Sequence, residues 1–291
     1  MIVLGLLVGH LIADFYLQTE KMVLEKKKYL GKHVFHHTMI TLLVVTCFYI
    51  GSGHHQNLLY HIVLPTILLI MFHILIDLGK IYAPRIFPIN IRTTYRDLIL
   101  FISDQVLHLL SIFVIAFFFF DFDIIYFWDQ ILSLFEGESI VLAPGERLLF
   151  LLVMFIIVTV VTGHVIRILL GPFHPHLALF EGKYTISGHI YSDTLNQNRK
   201  QQSGISEEYS YLLFTQQKLS RGKTIGYIER LVVILLVIQG AYGAIGFVIA
   251  AKALARFKQM DDRDWAEYFL LGTLTSMFLA IVYGMMIRQM I

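Results

Sequence analysis

Long apolar runs separated by short polar loops dominate the chain. Eight runs approach or reach the ~17–25 residues that an α-helix needs to cross a bilayer: 1–18, 33–50, 58–81, 98–120, 148–170, 224–239, 241–257 and 265–287. The first, sixth and seventh are short. The sixth and seventh also read as a re-entrant pair, or as one long helix broken around Gly240 and Gly243. The pattern predicts an all-α polytopic integral membrane bundle of about eight transmembrane helices.

Polar residues between the runs test that count, because Lys and Arg concentrate on the cytoplasmic side. The first loop holds Lys21, Lys26, Lys27, Lys28 and Lys32; the second, 52–57, has no Lys or Arg. The third carries Lys80, Arg85, Arg92 and Arg96, whereas the fourth is acidic, with Asp121, Asp123, Asp129, Glu136 and Glu138. The fifth, 171–223, is basic again through Lys183, Arg199, Lys200, Lys218, Arg221 and Lys223. The sixth is a bare turn near Gly240, and the seventh holds Lys258 and Arg263, flanked by Lys252 and Arg256. Basic and non-basic loops alternate without a break, with Arg288 at the outer end a mild exception. The expectation is a multi-pass protein of the cell (inner) membrane with both termini outside. The basic loops read as topology and anionic-lipid contact, not nucleic-acid binding. Three parts are expected: an N-terminal four-helix membrane half, 1–120; an acidic extracytoplasmic loop, 121–146; and a C-terminal membrane half, 147–291. The cytoplasmic loop 171–223 forms a small cap, a linker, or a docking segment for a soluble partner.

Composition agrees. Of 291 residues, 57% are hydrophobic and 15% charged, and mean hydropathy is +0.69; soluble domains are nearer ~45–50% and ~25%. The net charge of +2 decides nothing. One cysteine, Cys47, precludes an internal disulfide. The opening Met-Ile-Val-Leu-Gly lacks a basic leader, so the first run is read as a retained helix.

Ionisable residues recur inside the apolar runs at one-turn spacing: His10/Asp14, His33/His37, His73/Asp77 and Asp104/His108. Residues four apart share a helix face. Charged groups in membrane segments are costly and mark a partner, an ion or a proton path. The loop pattern puts all four pairs at one depth near the cytoplasmic ends of four helices. Imidazole with carboxylate suits Zn, Mn or Fe, and bundles hold such ions on inward-facing side chains. Candidate ligands are His10, Asp14, His37, His73, Asp77, Asp104 and His108. On the second helix His37 is deepest, with His33 and His36 nearer water. Interhelical hydrogen bonding and a proton or ion path remain the alternatives.

A second set lies C-terminal: Glu229-Arg230, Lys252 with Arg256 on one helix face, and Glu267-Tyr268. Ion pairs pinning helix ends are one reading, and a phosphate contact through Lys252 and Arg256 is the other. The order of lysine and glycine in 222–226 is wrong for a P-loop. His164 and Arg167 read as interfacial residues, and His54, His55 and His61 as residues of the opposite side. No Gly-x-Ser-x-Gly elbow or Cys-x-x-Cys pair occurs.

Gly9-His10, Asp14-Phe15-Tyr16-Leu17-Gln18, the following lysines, His36-His37, His73-Ile74-Leu75-Ile76-Asp77 and Asp104-Gln105-x-x-His108 together resemble the DUF3307 family of bacterial membrane proteins. The resemblance covers about the first 120 residues. Segments 225–230, 251–257 and 267–273 are similar to parts of longer members. It implies membrane location and supplies no substrate.

Three functions fit. The first is a metal-dependent membrane hydrolase acting on a lipid or lipid-linked headgroup at the cytoplasmic leaflet. There Asp14, Asp77 or Asp104 is the general base, and Lys252 and Arg256 contact phosphate. The second is a proton or cation transporter or channel, against which the nearly all-apolar outer halves speak. The third is a non-catalytic membrane scaffold or sensor.

Overall fold

The protein is described by a computed structural model over residues 1–51, 57–86, 93–138, 140–171, 220–261 and 263–290. All its regular elements there are helical. Helix α1 runs Ile2–Ile12 and continues as a π-turn, Ala13–Leu17. A short α2 (Glu20–Leu24) leads to α3 (Lys26–Gly51). A π-turn, Leu59–Val63, opens α4 (Leu64–Ile86), and α5 spans Thr93–Phe119. Then come α6 (Ile124–Phe135), α7 (Pro144–Ile156), a third π-turn (Ile157–Val161) and α8 (Thr162–Leu169). The C-terminal part holds α9 (Ser220–Ile238), α10 (Tyr242–Ala255) and α11 (Arg263–Met290).

Hydrocarbon offers the backbone no hydrogen bonds, so an apolar run in a membrane closes its own as a helix. Each of the eight predicted runs is helical. Five helical stretches are long and apolar enough to cross a membrane: Lys26–Gly51, Leu59–Ala83, Arg96–Phe119, Pro144–Leu169 and Arg263–Met290. The other three fall short for separate reasons. Ile2–Leu17 and Tyr242–Ala255 lack length, and the 19-residue α9 carries Arg221, Lys223, Glu229 and Arg230. The α9–α10 junction is a turn at Gly240, whose φ of +71° favours glycine. One element departs from expectation: the acidic segment contains α6. Asp123 caps it, its carboxylate accepting from the backbone N–H of Ile125 (2.9 Å) and Tyr126 (3.0 Å). At 12 residues it is too short to span. The cytoplasmic loop foreseen at 171–223 falls almost wholly on 172–219, and His54 and His55 on 52–56; both lie outside the described residues.

Helix α1 sits at the centre, packed against α3, α5 and α7, while α4 packs between α3 and α5. Gly5 and Gly9 make the close approach of α1 to α3 work. A Cβ at Gly9 would stand 2.8 Å from Ile40 Cγ2, and one at Gly5 3.2 Å from Val44 Cγ1. This is the small-xxx-small solution to packing where lipid removes the hydrophobic drive. Near Met1 the four-helix group is filled by Val3, Leu6, Val45, Leu69, Ile112 and Ile115. A second apolar cluster joins α7, α9 and α11 through Met154, Val233, Val237, Met277 and Ala280. The amino group of Met1 pairs with Glu146 at 2.9 Å, and the N–H of Ile140 donates to the carbonyl of Gln289 at 3.0 Å. Residues 1, 140–146 and 289 therefore share one end of the bundle, and the lysines that open α3 lie at the other.

Candidate metal centre

At that other end the four polar pairs converge. Asp14 is the second residue of the first π-turn. Such turns interrupt the α-helical hydrogen-bond ladder and concentrate at functional sites. Its Oδ1 accepts from His37 Nε2 at 2.9 Å and lies 3.3 Å from His33 Nε2. Its Oδ2 accepts from Gln105 Nε2 at 3.1 Å and lies 3.5 Å from His10 Nε2. Next to them His73 Nε2 and His33 Nε2 share a hydrogen bond at 3.2 Å. The imidazoles pack in a continuous row, with ring centroids 3.7 Å apart for His37/His73, 4.3 Å for His73/His108, which stack, and 4.8 Å for His10/His108.

Two lysines reach into the same cluster. Lys26 Nζ donates to Asp77 Oδ1 and Lys80 Nζ to Asp104 Oδ2, each at 2.6 Å. Asp77 Oδ2 stands 3.5 Å from His33 Nε2 and 3.6 Å from His73 Nε2. Asp77 is 1% exposed, His108 2% and His33 3%. Two buried carboxylates and the nearly buried Asp14 thus face two ammonium groups, which leaves Asp14 without a lysine partner. Burying a charge costs several kcal/mol unless it is matched, and a metal ion could supply that match.

Ligand atoms fall into three overlapping groups, within each of which they lie no more than 4.8 Å apart: Asp14, His33, His37 and His73; His10, His73 and His108; Asp77, Asp104 and His108. These buried His/Asp groups could hold a metal ion. All seven N-terminal residues foreseen as ligands belong to them. His33 belongs as well, although its position in the sequence puts it nearer water. Its signal was the one-turn spacing to His37. Lys26, Lys80 and Gln105 were also missed; Lys80 follows Asp77 by one helical turn, but Lys26 and Gln105 are brought in only by packing.

On the loop side of the cluster lies an open pocket of about 470 Å³ lined by Leu24, Glu25, Lys26, Lys27, Lys28, Lys80 and Ile81. On the opposite side a cavity of about 30 Å³ remains among Leu6, Leu69, Ile70, Ile112 and the histidines. Beyond it the apolar packing closes.

The C-terminal candidates make different contacts. Lys252 Nζ donates to Glu229 Oε2 at 2.6 Å, and the Arg256 guanidinium lies 5.7 Å from the Trp265 ring centroid. Both thus engage α9 and α11. His164 packs on Phe101 at 4.9 Å between centroids. Arg230, named in the C-terminal set without a role of its own, lies deep in α9, 3% exposed, and is a structural device. Its Nε donates to the Val158 carbonyl (2.6 Å) and its Nη2 to the Thr159 carbonyl (3.0 Å). Both acceptors belong to the third π-turn, so the guanidinium caps carbonyls in the interrupted ladder.

Residues 2–134 match a family model described as "Protein of unknown function (DUF3307)". The match takes in α1–α5, every ligand candidate and both lysines. No curated protein and no solved structure matches the chain.

Proposed function

We propose that the DUF3307 segment of this chain is a metal-dependent hydrolase embedded in the membrane, acting on an anionic, phosphate-bearing headgroup of a lipid or lipid-linked substrate. The observation that carries this is the convergence of eight His and Asp side chains from four helices, six of them buried, beneath a lysine-lined pocket. Divalent zinc, manganese or iron fits a donor set of imidazoles and carboxylates. When bound, such an ion lowers the pKa of a coordinated water to ~7 and supplies a nucleophile at neutral pH. One of Asp14, Asp77 and Asp104 would take a proton from the attacking water and return it to the leaving oxygen as the ester bond to phosphorus breaks. Lys26, Lys27, Lys28 and Lys80 hold the anion. Three of these lysines lie in the first turn of α3, where the helix dipole disfavours cations, an arrangement that an anion relieves. Lys252, ion-paired with Glu229, and Arg256, over the Trp265 ring, are read as the tethered end of α10.

The basic-loop pattern puts the pocket at the cytoplasmic leaflet. A headgroup enters there while its acyl chains stay in lipid. The transporter reading lacks a through path, because apolar packing closes the cluster toward Met1. The test is metal analysis and phospholipid hydrolysis on the purified full chain. Stoichiometric metal and chelator-sensitive headgroup release, both lost in His73→Ala, support the proposal; a folded protein that takes up no zinc, manganese or iron overturns it.

A further inference from the structure

Two of the three ligand groups share no residue, and the third, His10, His73 and His108, bridges them. Asp14, His33, His37 and His73 form one; Asp77, Asp104 and His108 form the other. The two sets differ in how they are satisfied. In the first, Asp14 accepts from His37 and Gln105 and His33 Nε2 bonds to His73, so that every carboxylate oxygen is engaged and the atom without a partner among the described residues is His33 Nδ1. In the second, Asp77 Oδ2, Asp104 Oδ1 and His108 Nε2 are all buried and lack a hydrogen-bond partner among the described residues. A buried polar atom without a partner destabilises the fold. Three of them on three nearly inaccessible side chains, close enough for one ion, are the mark of a second ligand position. The remaining oxygens of the same two aspartates hold Lys26 and Lys80.

From this we infer that the centre takes two divalent cations, and that the two lysines set the affinity of the second. This rests on the metal-centre reading above and goes beyond it in stoichiometry and order. The first set, three imidazoles and one carboxylate, is complete in itself and fills first. The second, two carboxylates and one imidazole, is the more oxygen-rich, so it favours a harder ion such as manganese. Asp77 Oδ2, within 3.6 Å of His33 and His73 nitrogens, stands between the two sets. His73 and His108, stacked at 4.3 Å, link them. The sets are therefore close enough for the ~3.5–4 Å spacing of two-metal hydrolytic sites.

Charge decides the order. The first ion balances the acid that the lysines leave uncompensated. A second ion arrives at aspartates already paired with ammonium groups, so it binds weakly until Lys26 and Lys80 turn away. They turn into the pocket that they line, where a phosphate-type anion meets them. Second-ion binding and anion binding then strengthen each other by the same factor.

The experiment is manganese titration of the purified full chain in detergent, followed by calorimetry and by electron paramagnetic resonance. Two resolved equivalents, one tight and one weak, are expected, with exchange-coupled spectra at saturation. In Lys26→Met/Lys80→Met the weak step tightens about tenfold or more, by at least 1.4 kcal/mol, while the tight step stays put. In Asp77→Asn/Asp104→Asn the weak step disappears. A single equivalent in wild type and in the lysine variant overturns the inference, as does an uncoupled spectrum of wild type at saturation, which needs no variant to fold. No manganese, zinc or iron bound at all overturns the metal reading too. Two coupled ions without lipid hydrolysis leave this inference standing and overturn the hydrolase alone.

Discussion

On α3 the difference between a ligand and a bystander is a matter of which face a residue occupies. His33 and His37, one turn apart, both turn into the cluster, and both sit within 3.3 Å of Asp14 Oδ1. His36 packs beside Phe35 instead, at 6.4 Å between ring centroids, and belongs to none of the ligand groups. His33→Ala is therefore expected to weaken metal binding about as much as His37→Ala, tenfold or more, with His36→Ala close to wild type; metal titration of the three variants checks this. Arg230 obeys a different rule. Its guanidinium serves two backbone carbonyls and no metal ligand. Arg230→Met should lower stability by about 1–3 kcal/mol, the cost of unpaired buried acceptors. Thermal unfolding in detergent would read that loss, and the metal equivalents should not change.

Helix α1 supplies both His10 and Asp14, and its distance from α3 is set by two glycines. At Gly9 a methyl group would press on Ile40. Gly9→Ala is expected to cost about 1–3 kcal/mol as overpacking and, by pushing α1 outward, to weaken metal binding. Adding Ile40→Ala should restore both, which a purely local strain in α1 would not allow. Gly284 is the control at the far helix pair, where a Cβ would lie 2.8 Å from Val237 Cβ. Gly284→Ala should lower the unfolding temperature and leave metal binding alone. The π-turns serve two ends: one carries Asp14 into the cluster, another offers its carbonyls to Arg230.

Across the whole molecule the polar cluster is one-sided. It opens on the lysine pocket and closes on apolar packing. With Cys47 replaced by serine, Lys27→Cys is expected to react with membrane-impermeant maleimide only from the cytoplasmic face. Labelling from outside alone would invert the orientation. Proteoliposomes are expected to show no manganese flux, since beyond Thr41 and Ser111 the described residues of the four-helix group toward Met1 are packed mainly by apolar side chains.

The sequence by itself determined the membrane class, all eight apolar helices and seven of the clustered residues, because these follow from local rules. An apolar run must satisfy its own backbone, and a four-residue spacing fixes one face of a helix. Rules of that kind also made the DUF3307 segment recognisable, and residues 2–134 match that family. They could not reveal α6, whose Asp123 cap looks like one more acid of a loop, nor decide which of His33 and His37 turns inward, since both do. Only the tertiary structure brought Lys26 to Asp77 across 51 positions and Gln105 to Asp14 across 91. It alone separated the second constellation from the first and gave Arg230 its carbonyls. Such pairings depend on how closely helices approach and how they rotate about their axes. Both are fixed by contacts between segments distant in the chain, such as Gly9 against Ile40, and no local pattern encodes them.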